Sequence, residues 1–152
     1  MRIVSIPAAG AMLAVSLTLA ACGGVDKNAY VESVTKVQQK TQKEANKLSE
    51  EMAQAKSPKD IGAKLKELGT KVGTNAKSLD AIEAPSEVEQ QHQQYVDLMN
   101  RFSSELDKLG SEFESAKTSE LPSVLSDTTK LTSDLATDEQ KIVNDINSKL
   151  RG

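Results

Sequence analysis

One histidine and one cysteine occur in 152 residues, and together they bound the chemistry this chain can perform. His92 stands three positions after Glu89, so on a helix a carboxylate and an imidazole share one face. That is only part of what a di-iron bundle needs, because such a site takes a second Glu-x-x-His pair and two further glutamates from facing helices. A lone histidine cannot supply it, and zinc sites built from several His or Cys ligands fail on the same count. No cofactor is therefore expected. A Ser-His-Asp arrangement is compatible with the composition, but no strand-turn-helix pattern is present to expose a nucleophile. The chain is read as a non-enzyme, with a hydrolase kept as the remote alternative.

The elements that would position His92 are helical. Downstream of residue 27 the sequence is rich in Lys, Glu, Gln, Ala, Leu and Ser, with no tryptophan and no sustained period-two alternation. Three proline-centred breaks, at Pro58, Pro85 and Pro122, divide it into four segments. The first carries Tyr30, Val34, Val37, Thr41, Ala45, Leu48 and Met52 at steps of three and four, one face of a helix. Ser57-Pro58-Lys59-Asp60 reads as a start signal for the second, with Ser57 as N-cap and Pro58 at the first helical position. Leu65, Leu68, Val72, Ala76 and Leu79 follow at the same spacing. The third shows Val88, Tyr95, Leu98, Phe102, Leu106, Leu109 and Phe113, and the fourth Leu121, Leu125, Leu131, Leu135, Ile142, Ile146 and Leu150. Short connections force neighbouring helices to run antiparallel, so the predicted fold is all-α, an up-down-up-down four-helix bundle over residues 28–152. Long coiled-coil hairpins that pair between chains are the competing arrangement.

Within that bundle His92 falls on the apolar stripe of helix three, opposite about Ala76 of helix two. If helix three runs through Gly110 to about Lys117, the reading preferred here, His92 faces Asn147 of helix four; if Gly110 caps it, the partner is nearer Asp138. The sharper expectation is a polar layer of His92, Thr41 and Asn147 that fixes register or lines a ligand pocket and titrates near neutral pH. The plainer one is a partly exposed histidine bonded to a neighbour. Gly62, Gly69 and Gly73 lie inside helix two; the spacing of the last two permits close helix approach, but local looseness is the expected result. The turn near Leu121 is a candidate partner site, with Phe113, Leu121 and Val124 poorly covered. Its competing reading is a frayed connection that binds nothing.

Location is written at the other end of the chain. Arg2 is a minimal positive region, residues 3–21 form a charge-free apolar run, and Leu19-Ala20-Ala21-Cys22 closes it. Those four residues resemble the lipobox of bacterial lipoprotein precursors. The resemblance implies cleavage before Cys22, a diacylglyceryl group on its thiol, fatty acyl chains of the palmitate kind as the membrane anchor, and residence on the extracytoplasmic face of the cell membrane. Residues 1–21 are then the signal peptide and 22–27 a lipidated tether. An uncleaved membrane anchor and a signal peptide cut elsewhere are the alternatives; Pro7 and Gly10 interrupt the run and speak against the first. The stretch Leu79-Asp80-Ala81-Ile82-Glu83-Ala84-Pro85-Ser86-Glu87-Val88, with His92 and Tyr95 after it, is also similar to a pattern in small uncharacterised bacterial lipoproteins, and implies fold and location only.

Charge narrows the partners. Removing residues 1–21 leaves 18 basic against 22 acidic side chains, a net charge of −4. That balance argues against nucleic acid and against electrostatic attachment to anionic lipid. With its one cysteine acylated, the domain has no disulfide and folds by burial alone. The expectation is a monomeric lipoprotein of the cell envelope that binds or scaffolds an envelope protein. A small-molecule sensor or carrier with a pocket between helices is the alternative.

Overall fold

A computed structural model describes residues 25–117 and 119–151. Residues 1–21, Cys22 and the first half of the expected tether 22–27, through Gly24, lie outside the described residues. The described chain is four helices, α1 (Lys27–Ala53), α2 (Pro58–Asp80), α3 (Glu89–Ser115) and α4 (Leu121–Arg151), with no strand among the described residues. Each packs against its neighbour in sequence, α2 with α3 most closely, as a four-helix bundle with antiparallel connections. None of these helices is long and apolar enough to cross a membrane.

Local chemistry sets the helix starts. Asp26 caps α1 by accepting from the backbone N–H groups of Asn28 (2.8 Å) and Ala29 (3.4 Å), and Ser57 caps α2 by accepting from Asp60 N–H at 3.2 Å. Pro58 occupies the first turn of α2, where its missing N–H costs nothing. After α2 the backbone leaves the helix for residues 81–88. A turn closed by Val88 N–H on the Pro85 carbonyl (2.9 Å) then leads into α3, which has no side-chain cap. α3 passes through Gly110 without stopping and ends at Ser115.

The core is a single apolar cluster. Leu48, Leu79, Val88 and Ala76 are fully buried, with Leu150, Val72, Tyr30, Tyr95, Val96 and Phe113 nearly so. Phe113 is 3 % exposed, and Leu121 and Val124 pack half-buried against the same cluster, so the expected apolar tip is covered. The reason is the length of α3, which runs past Gly110 to Ser115 and so keeps Phe113 on its buried face. Leu125, at 37 %, is the exposed large hydrophobic among the described residues.

The α2–α3 pair departs most from expectation. A Cβ on Gly62 would collide with the backbone carbonyl of Gly110, and one on Gly110 would lie 2.7 Å from the carbonyl of Gly62. A Cβ on Gly69 would stand 2.9 Å from the Ser103 carbonyl, while Ser103 Oγ donates to the Gly69 carbonyl at 2.7 Å. The glycines in α2 are not loose points. Gly62 and Gly69, together with Gly110, form a seam along which two helix backbones touch, so small residues serve here for close approach outside any bilayer. Lys66 and Glu114 close its far end at 2.6 Å. α1 and α4 flank this tight pair.

Candidate functional site

Three polar couplings pin the outer helices to the α2–α3 pair. The first joins Tyr30, in the opening turn of α1, to His92, in the opening turn of α3. Tyr30 is 2 % and His92 6 % exposed, their rings meet edge to face at 5.6 Å, and the Tyr30 hydroxyl lies 3.1 Å from His92 Nδ1. Burial pushes the Tyr30 phenol up to about 12, so it keeps its proton and donates to a neutral ring. The ring then carries its own proton on Nε2, which is buried without a well-formed hydrogen bond. Burial lowers the His92 pKa; the Leu79 carbonyl and the charge of Asp80 oppose that without reversing it.

The second coupling centres on Tyr95, one turn further along α3. Its hydroxyl donates to Glu139 of α4 (2.9 Å) and accepts from Gln38 of α1 (3.0 Å), clasping both outer helices across α3. Burial first, then the Glu139 carboxylate, drives its pKa upward, so the phenol is permanently protonated. Arg101 pairs with Asp138 of α4 nearby. The third joins α1 to α2: Asn75, fully buried, donates through Nδ2 to Thr41 Oγ1 (3.0 Å) and Glu44 Oε2 (2.8 Å). Thr41 in turn donates to the Val37 carbonyl at 2.9 Å. Asn75 Oδ1 is left without a partner.

His92, Thr41 and Asn147 are therefore not one layer. His92 pairs with Tyr30, Thr41 with Asn75, and Asn147 sits half-buried on α4 in neither coupling. His92 also lies beside Leu79 and Asp80 rather than Ala76, because α2 ends at Asp80 and α3 starts at Glu89, which sets the first turn of α3 against the last turn of α2. Asn75 escaped sequence reasoning although its position was telling, three residues after Val72 and four before Leu79 on the buried stripe. Tyr30 lies on the apolar stripe of α1, and its hydroxyl is the part that makes the coupling.

What this arrangement can do chemically is limited. Among the described residues no group of three or more His, Cys, Asp or Glu is placed to hold a metal ion. A depression of ≈ 440 Å³ runs along the outer face of α1, lined by Gln39, Gln42, Lys43, Asn46, Lys47 and Glu50. It touches none of the three couplings and opens to solvent on a single helix.

The His92 contact carries a pH dependence of definite sign. A folded-state pKa below the unfolded value means the unfolded chain binds the extra proton, so stability is full above the unfolded pKa and is lost as pH falls toward the folded one. Chemical denaturation is expected to show stability dropping between about pH 7 and about pH 5.5, the range in which an unfolded histidine charges. His92→Gln, which keeps an acceptor for Tyr30 but does not titrate, is expected to flatten that slope. An unchanged slope in this variant would assign the titration elsewhere.

The chain matches no protein-family model, no curated protein and no solved structure.

Proposed function

We propose that this protein is a lipid-anchored module of the cell envelope, exported, acylated on Cys22 and held at the extracytoplasmic face of the membrane, where its helices bind or scaffold an envelope protein. The observation that carries the reading is Leu19-Ala20-Ala21-Cys22 closing a charge-free apolar run five residues before the first residue of α1. Two acyl chains at about 0.8 kcal/mol per buried methylene anchor a protein stably without help from its surface. A mixed-charge helical surface suits that division of labour, with the lipid supplying attachment and the bundle free for other contacts.

Membrane fractionation of cells expressing the full chain and its Cys22→Ala variant is the test, together with the intact mass of the purified product. The native chain is expected in the membrane fraction with a mass that begins at Cys22 and includes the acyl groups; the variant is expected to leave that fraction. A water-soluble native product with an intact N-terminus and a free thiol would overturn the proposal. Crosslinking in intact cells then identifies the bound protein by its loss in the same variant.

A further inference from the structure

The start of α1 is fixed to the bundle almost as soon as the described chain begins. Val25 packs against the apolar cluster, Asp26 is committed to capping α1, and Lys27 Nζ reaches across to Glu87 Oε1 at 3.0 Å. Lys27 thereby ties α1 to the turn that precedes α3. Of the expected tether 22–27, the last three residues are thus part of the folded body. Between Cys22 and Val25 the chain can extend no more than about 10 Å, at about 3.5 Å per residue.

The up-down order decides which surface lies within that reach. α1 begins, α2 ends, α3 begins and α4 ends at the same end of the bundle, as the Tyr30–His92 contact and the action of the Asp80 charge on His92 require. That end comprises Asp26, Lys27, residues 81–88 and the C-terminal turn of α4 with Lys149 and Arg151. The connections at 54–57 and 116–120 are at the opposite end, about 40 Å away by the length of α3 at 1.5 Å per residue. Resting on the acylation of Cys22 proposed above, we propose that the 81–88 turn and the end of α4 form a membrane-contact surface that lies on the lipid headgroups. The bundle then stands on the bilayer in one orientation, its 54–57 and 116–120 connections farthest from the membrane.

The contact is imposed by tether length rather than by attraction. Asp26, Asp80, Glu83 and Glu87 share this end with Lys27, Lys149 and Arg151, and Lys27 is already paired with Glu87. A surface of mixed sign gains little from anionic lipid and loses little in salt, where exposed charges are screened within about 8 Å at physiological ionic strength. The orientation is therefore insensitive to both lipid charge and salt.

Fluorophores placed at Ser86→Cys, in the near turn, and Ser119→Cys, at the far end, test this in the full acylated chain. Both positions are exposed, and the acylated sulfur of Cys22 does not react with the label. The protein is reconstituted into phosphatidylcholine vesicles, with or without phosphatidylglycerol, containing a quencher attached to the lipid headgroup. Quenching is expected to be at least about fivefold stronger at 86 than at 119, given the 40 Å separation, and to hold in high salt and in both lipids. Inserting sixteen Gly-Ser residues between Gly24 and Val25, a tether of about 22 Å root-mean-square span, is expected to bring the ratio below about twofold. Equal quenching at the two ends of acylated protein, or stronger quenching at 119, overturns the orientation and leaves the anchor standing. Labelling at Cys22 itself, with no acyl mass, overturns both.

Discussion

Gly62→Ala is expected to cost about 3 kcal/mol or more in stability, at the upper end of what overpacking a well-filled interface costs. The added methyl group meets the Gly110 carbonyl, Glu114 Cγ at 2.6 Å and the Glu114 backbone nitrogen at 3.0 Å. Backbone atoms of a helix cannot turn aside as a side chain does, so α2 and α3 must separate along the seam. Gly110→Ala meets the same obstacle from the other side, with the Gly62 carbonyl at 2.7 Å and Lys66 N at 3.2 Å, and is expected to cost as much. The two changes are expected to be strongly sub-additive, because the first already forces the separation that the second needs. Gly73→Ala provides the contrast. Its methyl meets only the Ser103 hydroxyl, at 2.9 Å, and that side chain can rotate away at the expense of its bond to the Gly69 carbonyl. Helix propensity returns about 1 kcal/mol, so the net change is expected within about 0.5 kcal/mol of zero. Thermal unfolding should separate the classes by about 10 °C, taking about 3 °C per kcal/mol for a chain of this size. A Gly62→Ala protein as stable as Gly73→Ala would mean that the backbones do not touch.

The contrast between these glycines also shows how far the sequence could be read. Periodicity identifies which face of a helix is buried, and it placed Tyr30, Val34, Leu48, Leu79, Tyr95, Leu106 and Ile146 in the core correctly. Turn chemistry at Ser57-Pro58 and the continuation of the stripe through Phe113 gave the start of α2 and the passage of α3 through Gly110. What periodicity lacks is the identity of the facing residue, since that depends on helix rotation and on the shape of each connection. The expected partner of His92, Ala76, is one turn off for this reason: α2 ends at Asp80 and α3 starts at Glu89, so His92 in the first turn of α3 meets the last turn of α2 at Leu79 and Asp80. The same blindness hid the seam, because Gly62 and Gly110 acquire meaning only when seen as a pair. Asn75 is hidden from periodicity for a related reason: a small amide inside a helix is common, and only burial against Glu44 makes it consequential.

Asn75→Asp is expected to be among the most damaging single-atom changes available to this fold, and to reverse its response to acid. The substitution replaces an NH₂ that donates to Glu44 Oε2 at 2.8 Å and Thr41 Oγ1 at 3.0 Å by an oxygen that can only accept. Thr41 cannot turn to serve it without abandoning the Val37 carbonyl. At neutral pH a fully buried carboxylate then confronts another across a hydrogen-bond distance, and leaving such a charge unpaired costs about 3–5 kcal/mol. Burial and the Glu44 charge both favour the neutral acid, so the folded protein holds a proton that the unfolded chain releases. Stability of the variant therefore rises as pH falls from neutral toward the unfolded aspartate value near about 4. The native chain moves the other way over the upper part of this range, because charging His92 disfavours its buried site. Urea denaturation at a series of pH values should accordingly give lines of opposite slope that converge on acidification. Parallel lines would show that Asn75 does not sit against Glu44, and the coupling that docks α1 on α2 would have to be sought elsewhere.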